Sequence, residues 1–318
     1  MQISVIIAAF NAGHFIGRAI SSVQKQTTRD LEIIVVDDAS TDNTDSVVQN
    51  LAKKDGRINI IRLTSNTGPS GARNIGFAAA KGEWIAVLDA DDAFAPGRLE
   101  RLIAAGHETR ADIVVDNLQL FDEGAGQVVG QTSFVQEKIG DLTLELFFRK
   151  DGPPNACPMG WVKPIIRKSA FERTGLKYNP DYRYAEDFLF FTEMLLHGCR
   201  AICVCDAAYL YTLRHGHVSG RPSTMSRTTP EASSLERTTK FLLSQYGQVM
   251  TPSVKMALLN RVERVTLAKI IAEMKDTIRH KRLDSALIIA VKHPRVLMSA
   301  WLSLYTKAKT RITDILPS

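Results

Sequence analysis

The first hundred residues alternate short, almost wholly apolar runs with amphipathic ones, and few architectures accommodate that pattern. ISVIIAAF, LEIIVV, INIIRL and WIAVL are apolar along most of their length, not at every second position. A strand of this kind is buried on both faces, which calls for a parallel sheet covered by helices on each side. The segments between are helical in period. HFIGRAISSVQKQ sets Phe15, Ile16, Ala19, Ile20 and Val23 along one face. DDASTDNT offers helix caps before SVVQNLAKK, and PSGARNIGFAAAKG predicts a helix stopped by Gly82. The expected fold is therefore α/β and Rossmann-like, with a mostly parallel sheet.

Beyond residue 106 the pattern loosens. ADIVVDN, WVKPII and CRAICVCDAAYLY predict strands, DLTLELFFRK and YAEDFLFFTEMLLHG helices, and DGPPNACPMG a loop. Cys199, Cys203 and Cys205 fall within one strand, where cysteine reads as a small apolar residue, as in a chain kept reduced in the cytosol. No run of about 18 apolar residues predicts a membrane span, and MQISVIIAAF lacks the basic start and cleavage site of a signal peptide.

Ligands of such sheets collect at the carboxyl ends of the strands. Three ends here are polar: Phe10-Asn11, Asp37-Asp38, and Asp89-Ala90-Asp91-Asp92. A lone Asp or Asn caps a helix, but three bunched carboxylates repel one another and need a cation. No GxGxxG follows the first strand and no GxxxxGK[ST] occurs, which removes the usual dinucleotide and P-loop readings. Hard cations such as Mg2+ or Mn2+ take one or two carboxylates together with substrate phosphates. Two chemistries use a strand-end Asp-x-Asp in that way: sugar transfer from a nucleotide sugar, and phosphoryl transfer through an aspartyl nucleophile. The second wants its motif on the first strand, with Thr or Val soon after. Here three βα units precede it and Ala93-Phe94 follows.

Taken in order and spacing, SVIIAAFN, EIIVVDDASTDNT, NTGPSGARNIGFAAAKGEWIAVLDADD and YAEDFLF resemble the inverting family 2 glycosyltransferases of GT-A fold. The resemblance covers about residues 1–220 and is nearest to bacterial exopolysaccharide enzymes of the succinoglycan-assembly kind. It implies a GT-A catalytic domain over 1–220 and leaves 221–318 as a basic, mainly helical extension. It also implies roles. Ala9, Phe10 and Asn11 would line the nucleobase pocket, with Asp38 bonding uracil. Gly71, Arg73 and Asn74 would shape the base and diphosphate side. Asp89, with Ala90 beside it, would face ribose and metal. Asp91 would ligate the metal, or Asp92 in its place. Glu186-Asp187 matches the family's acidic pair, with Asp187 as general base. The loop RHGHVSG falls where some members supply a further metal ligand, which points to His217, a position often held by Ser in the family.

The implied reaction moves a sugar from a UDP-sugar, with Mn2+ or Mg2+, to a hydroxyl of a growing glycan, the acceptor carried on a polyprenyl diphosphate. A carboxylate across the sugar from the metal takes the hydroxyl's proton, and attack from that side inverts the anomeric carbon. A sugar-nucleotide-binding scaffold without catalysis is the alternative, and retention of both acidic motifs speaks for the enzyme. Charge adds one expectation. Residues 250–318 hold 13 Lys and Arg against 5 Asp and Glu, an excess of +8 in a chain of net +6. Basic amphipathic helices either lie on an anionic membrane or pack with a solvated basic face. The first would place a cytoplasmic protein on the inner face of the membrane. No nucleic-acid-binding module accompanies the charge.

Overall fold

The structure is a computed structural model of the 318-residue chain and describes residues 1–132, 138–152, 159–182, 185–213 and 232–279. Residues 1–258 form one compact unit and residues 259–318 a second. The first unit is built on a mixed ten-stranded sheet.

Its first half follows from the apolar runs. β1 (Ile3–Ala9), β2 (Leu31–Asp37), β3 (Ile58–Arg62) and β4 (Trp84–Val87) pair in the order β3-β2-β1-β4, all parallel. Every residue of β2 and β4 is buried, as strands sandwiched by helices must be. The crossovers are α1 (Ile16–Gln24), α2 (Thr44–Ala52) and α3 (Gly68–Ala79). α1 buries Ile16, Ala19, Ile20 and Val23, the stripe read from the sequence. α3 ends before Gly82, which is not its left-handed cap. A Cβ on Gly82 would lie 2.5 Å from the Ser4 nitrogen, so glycine is needed there for close backbone approach.

Past β4 the sheet changes direction. β5 (Ala93–Phe94) pairs antiparallel with β10 (Ala201–Leu213), which runs parallel to β6 (Ile113–Asp122). β9 (Ile165–Arg167) lies antiparallel between β4 and β6. β7 (Gln127–Gln131) and β8 (Ile139–Asp141) add to β6 and β10. α4 (Arg98–Thr109), α5 (Leu144–Lys150), α6 (Lys168–Thr174) and α7 (Glu186–Leu196) complete the layers. β10 shifts register between Val204 and Tyr209, a bulge that re-aims the side chains after it.

The compact unit runs past the boundary expected at residue 220. α8 (Ala232–Tyr246) buries Leu242 in the same core, and the Tyr246 hydroxyl donates to Glu193 Oε1 on α7 at 2.8 Å. α9 (Pro252–Arg279) follows, with Ala257 and Leu258 buried. The described cysteines are free thiols, and burial pushes the Cys203 thiol up to about 12, which suits a packing residue.

Candidate active site

The carboxyl end of β4 meets the start of α7 through two buried cations. Arg73, on α3 and 2% exposed, donates from Nη2 to Asp89 Oδ1 at 2.8 Å. Its Nη1 reaches Glu186 Oε1 and Asp187 Oδ1, each at 3.0 Å. Lys163 Nζ lies 3.0 Å from Asp89 Oδ2 and also bonds Asp187 Oδ2. Three carboxylates from two distant segments thus share two cations.

The electrostatics follow from that sharing. Burial opposes the charge on Asp89, but Lys163 and Arg73 outweigh it and hold the acid well below the usual carboxylate range. Burial likewise works against the Lys163 ammonium, and Asp187 and Asp89 overcome it and raise the group above its ordinary value. Glu186 is pushed up, first by burial and then by Asp187 beside it. Tyr178 braces the cluster, with its ring 5.3 Å from the Arg73 guanidinium carbon and its hydroxyl bonded to Asp187.

Local chain geometry sets these groups in place. Ala185 enters α7 at φ +59°, a left-handed conformation that costs a non-glycine residue of the order of 1 kcal/mol. It turns the chain so that Glu186 and Asp187 occupy the first helical turn, where the dipole favours anions. Asn11 and Ala39 are also left-handed, at φ 49° and 61°, in the loops after β1 and β2. Asn11 Oδ1 accepts from the Thr41 nitrogen at 2.8 Å, and Ala9 accepts through its carbonyl from the Asp38 nitrogen at 2.8 Å. These bonds tie the two loops together beside Phe10, whose ring is half exposed.

Several expected roles change on this geometry. Arg73 belongs to the carboxylate cluster and not to the base side, because both terminal nitrogens are taken there. Asn74 pairs through its amide with the Tyr178 backbone, donating to the carbonyl and accepting from the nitrogen, both at 2.8 Å. It can shape a donor pocket only through Tyr178. Gly71 is required by packing, since a Cβ would sit 2.6 Å from Thr67 Cβ. Asp38 is buried and holds the start of α3. Its Oδ1 accepts from the Thr67 nitrogen at 2.7 Å and its Oδ2 from the Gly68 nitrogen at 2.9 Å. A uracil N–H would share one of these oxygens.

Asp92 departs most from its expected role. It is 2% exposed, accepting from the Tyr209 hydroxyl at 2.7 Å and from the Thr212 nitrogen at 2.8 Å. Both donors follow the bulge in β10. Burial, with Asp91 and Asp89 nearby, raises Asp92 well above the usual range. Asp92 is thus buried with both oxygens engaged inside the protein, whereas Asp91 is the more exposed of the two acids and the better placed to meet a metal. The Asp91 carbonyl accepts from Arg18 Nη2 and Thr212 Oγ1, both at 2.6 Å, which fixes the turn while Asp91 stays partly exposed. Ala90 is buried between the two acids. His217 lies outside the described residues.

Asp92 gives a pH prediction. The folded state keeps a proton that the unfolded chain releases above about pH 4. Stability from this source is complete below that pH and declines as pH rises toward the folded value. Asp92→Asn should remove the decline, so between pH 5 and 8 the wild-type melting temperature should fall relative to the variant's. Parallel curves would mean that Asp92 is ionised in the fold.

Among the described residues no three His, Cys, Asp or Glu converge as a metal cage. The donor set would suit a hard cation held by one or two carboxylates and completed by phosphate oxygens, with Asp91 as the first ligand; Asp89 would join only by sharing the oxygens that hold Arg73 and Lys163.

Lys163 was not singled out from the sequence, although a lysine inside WVKPII is a signal: a charge in an apolar run needs buried partners. Tyr178, Tyr209 and Thr212 carry no comparable signal.

Known proteins resemble this chain in sequence and in fold. Over 219 residues the chain is 34% identical to the succinoglycan biosynthesis protein ExoO of Rhizobium meliloti, a match covering 69% of this chain and 62% of that one. The chain therefore spans less than two thirds of that relative's length. The structure of S. aureus TarS 1-349 in complex with UDP-GlcNAc matches with a TM-score of 0.63 at 23% identity, over 82% of this chain and 72% of that one. The mannosyltransferase PcManGT from Pyrobaculum calidifontis, in complex with GDP-Man and Mn2+, matches with a TM-score of 0.63 at 20% identity, over 98% and 83%. These two likenesses show the GT-A fold alone. Residues 4–174, more than half of the chain, match the model of glycosyl transferase family 2, and the chain belongs to that family.

Proposed function

We propose that this glycosyltransferase moves a sugar from a UDP-sugar to a hydroxyl of a growing bacterial exopolysaccharide or surface glycan, with inversion at the anomeric carbon. The observation that carries the reading is the meeting of Asp89 with Glu186-Asp187 on Arg73 and Lys163. In such a site Phe10 and Asp38 hold the base between the β1 and β2 loops. Asp91, with Asp89, holds Mn2+ or Mg2+, which when bound offsets charge on the departing diphosphate. Asp187 accepts the proton of the acceptor hydroxyl, with Arg73 and Lys163 fixing where its oxygens point. Attack from the Asp187 side, opposite the diphosphate, turns an α-linked donor into a β-linked product.

The expected test is a screen of UDP-sugars for UDP release with and without Mn2+. Wild type should release UDP only with metal, and Asp91→Ala should lose metal-dependent UDP binding while its thermal unfolding stays near wild type. Full activity in excess EDTA would overturn the metal role. A second reading, a sugar-nucleotide-binding protein without catalysis, is favoured by the mutual neutralisation of the acids and cations, which a purely structural cluster would also show. UDP binding without release from any donor would support it.

The acceptor reading extends to a polyprenyl-diphosphate carrier, and localisation to the cytoplasmic face of an anionic membrane. The carrier is supported by the family resemblance and by a Campylobacter jejuni relative, 42% identical over 35% of this chain, whose name gives a PP-undecaprenol acceptor, and the localisation by the basic excess of residues 250–318, of which 280–318 lie outside the described residues. Among the described residues no helix is long and apolar enough to cross a membrane.

A further inference from the structure

Trp161 and Tyr211 lie face to face next to the carboxylate cluster, with ring centroids 4.5 Å apart and planes 6° from parallel. They come from separate segments. Trp161 ends the short 3-10 turn Met159–Trp161, two residues before Lys163, and Tyr211 lies on β10, next to the Thr212 that caps Asp92. Both are only partly buried.

Their place in the fold gives the pair a direction. The turn carrying Trp161 packs on the first turn of α7: a Cβ on Gly160 would lie 3.4 Å from Phe188 Cβ and 3.6 Å from its nitrogen. Trp161 leads into β9, and Tyr211 belongs to β10. In the sheet both strands lie on the far side of β4 from β1 and β2, whose loops carry Phe10 and Asp38. Burial pushes the Tyr211 hydroxyl up, with Asp92, Asp91 and Asp89 adding and Lys163 opposing, which sets this ring within electrostatic reach of the cluster.

We infer that the Trp161–Tyr211 pair is the acceptor subsite, a platform on which a hexose ring of the acceptor glycan lies with its hydroxyl toward Asp187. A hexopyranose has a flat face of C–H groups and a rim of hydroxyls. Partly exposed stacked aromatics offer an apolar surface to the face, and an indole N–H and a phenol O–H to the rim. Displacement requires the nucleophile to arrive opposite the leaving diphosphate. If the nucleotide lies over β1 and β2, the β9–β10 side is the one left for it. The inference rests on the proposed transferase reading in that respect.

Two measurements on the full chain separate the two ideas. UDP affinity with Mn2+ is read by calorimetry. Binding of cellobiose, laminaribiose, gentiobiose and lactose to the UDP–Mn2+ complex is read by saturation-transfer NMR. Wild type should bind UDP and at least one disaccharide saturably. Trp161→Ala should weaken the disaccharide about tenfold, the scale of one lost aromatic stacking contact, with UDP affinity unchanged as the check on folding. Trp161→Phe should restore most of the loss. Equal disaccharide affinity in Trp161→Ala, an equal fall in UDP affinity, or no disaccharide bound by wild type would each overturn the platform. Absence of UDP binding by wild type would instead overturn the transferase reading beneath it.

Discussion

Asp187→Asn should lower kcat about 10²- to 10⁴-fold, the span of a general base, with little change in UDP-sugar dissociation. The amide keeps the shape and cannot take the acceptor's proton. Donor binding depends on the strand-end loops and on Asp91, so the loss belongs in the chemical step. The substitution also sets an amide N–H against Arg73 or Lys163, so the melting temperature has to be followed alongside. Glu186 is the rival base. Its raised proton affinity suits the task, but it is less exposed than Asp187, at 6% against 13%. Glu186→Gln should therefore cost less. Near-normal transfer by Asp187→Asn with a dead Glu186→Gln would move the base to Glu186. If both retained transfer, the helix would not be part of the active site. Wild-type kcat should fall on the acid side as the acting carboxylate takes up a proton.

The largest effect on stability is expected at Arg73. Arg73→Met keeps much of the volume but leaves Asp89, Glu186 and Asp187 with Lys163 as their remaining cation in the cluster. Removing one partner of a buried ion network costs about 3–5 kcal/mol, a large part of the roughly 5–15 kcal/mol that holds a domain folded. Urea unfolding at pH 7 measures it. The deficit should shrink in acid. Asp89 has its folded value depressed by Lys163 and Arg73, so the stability it contributes is present above the unfolded carboxylate value, near pH 4, and is lost as pH falls toward the folded one. A loss below about 1 kcal/mol at pH 7 would mean that the carboxylates reorganise around Lys163 alone. A deficit independent of pH would assign it to packing.

What could be read along the chain was what neighbouring residues encode. Apolar runs and the 3.6-residue stripe of α1 specify the parallel half of the sheet, because burial on both faces leaves each strand few alternatives. The acids after β4 and at the start of α7 were legible for the same reason: motif and element are contiguous, and strand ends and helix starts are where such a fold puts its chemistry. β5, β8 and β9 are two or three residues long, too short to show a period, and their antiparallel pairing depends on partners elsewhere in the chain. The site was settled at the same level. Arg73 meets Glu186 across 113 positions of sequence, and Asp92 turns inward because a register shift in β10 delivers Tyr209 and Thr212 to it. Sequence therefore determined which carboxylates gather at the carboxyl end of β4 and the start of α7. Only the tertiary structure decided which of them are paired with Arg73 and Lys163, which is buried against Tyr209 and Thr212 and which is left partly exposed, because desolvation and ion pairing depend on what the fold brings within a few ångströms.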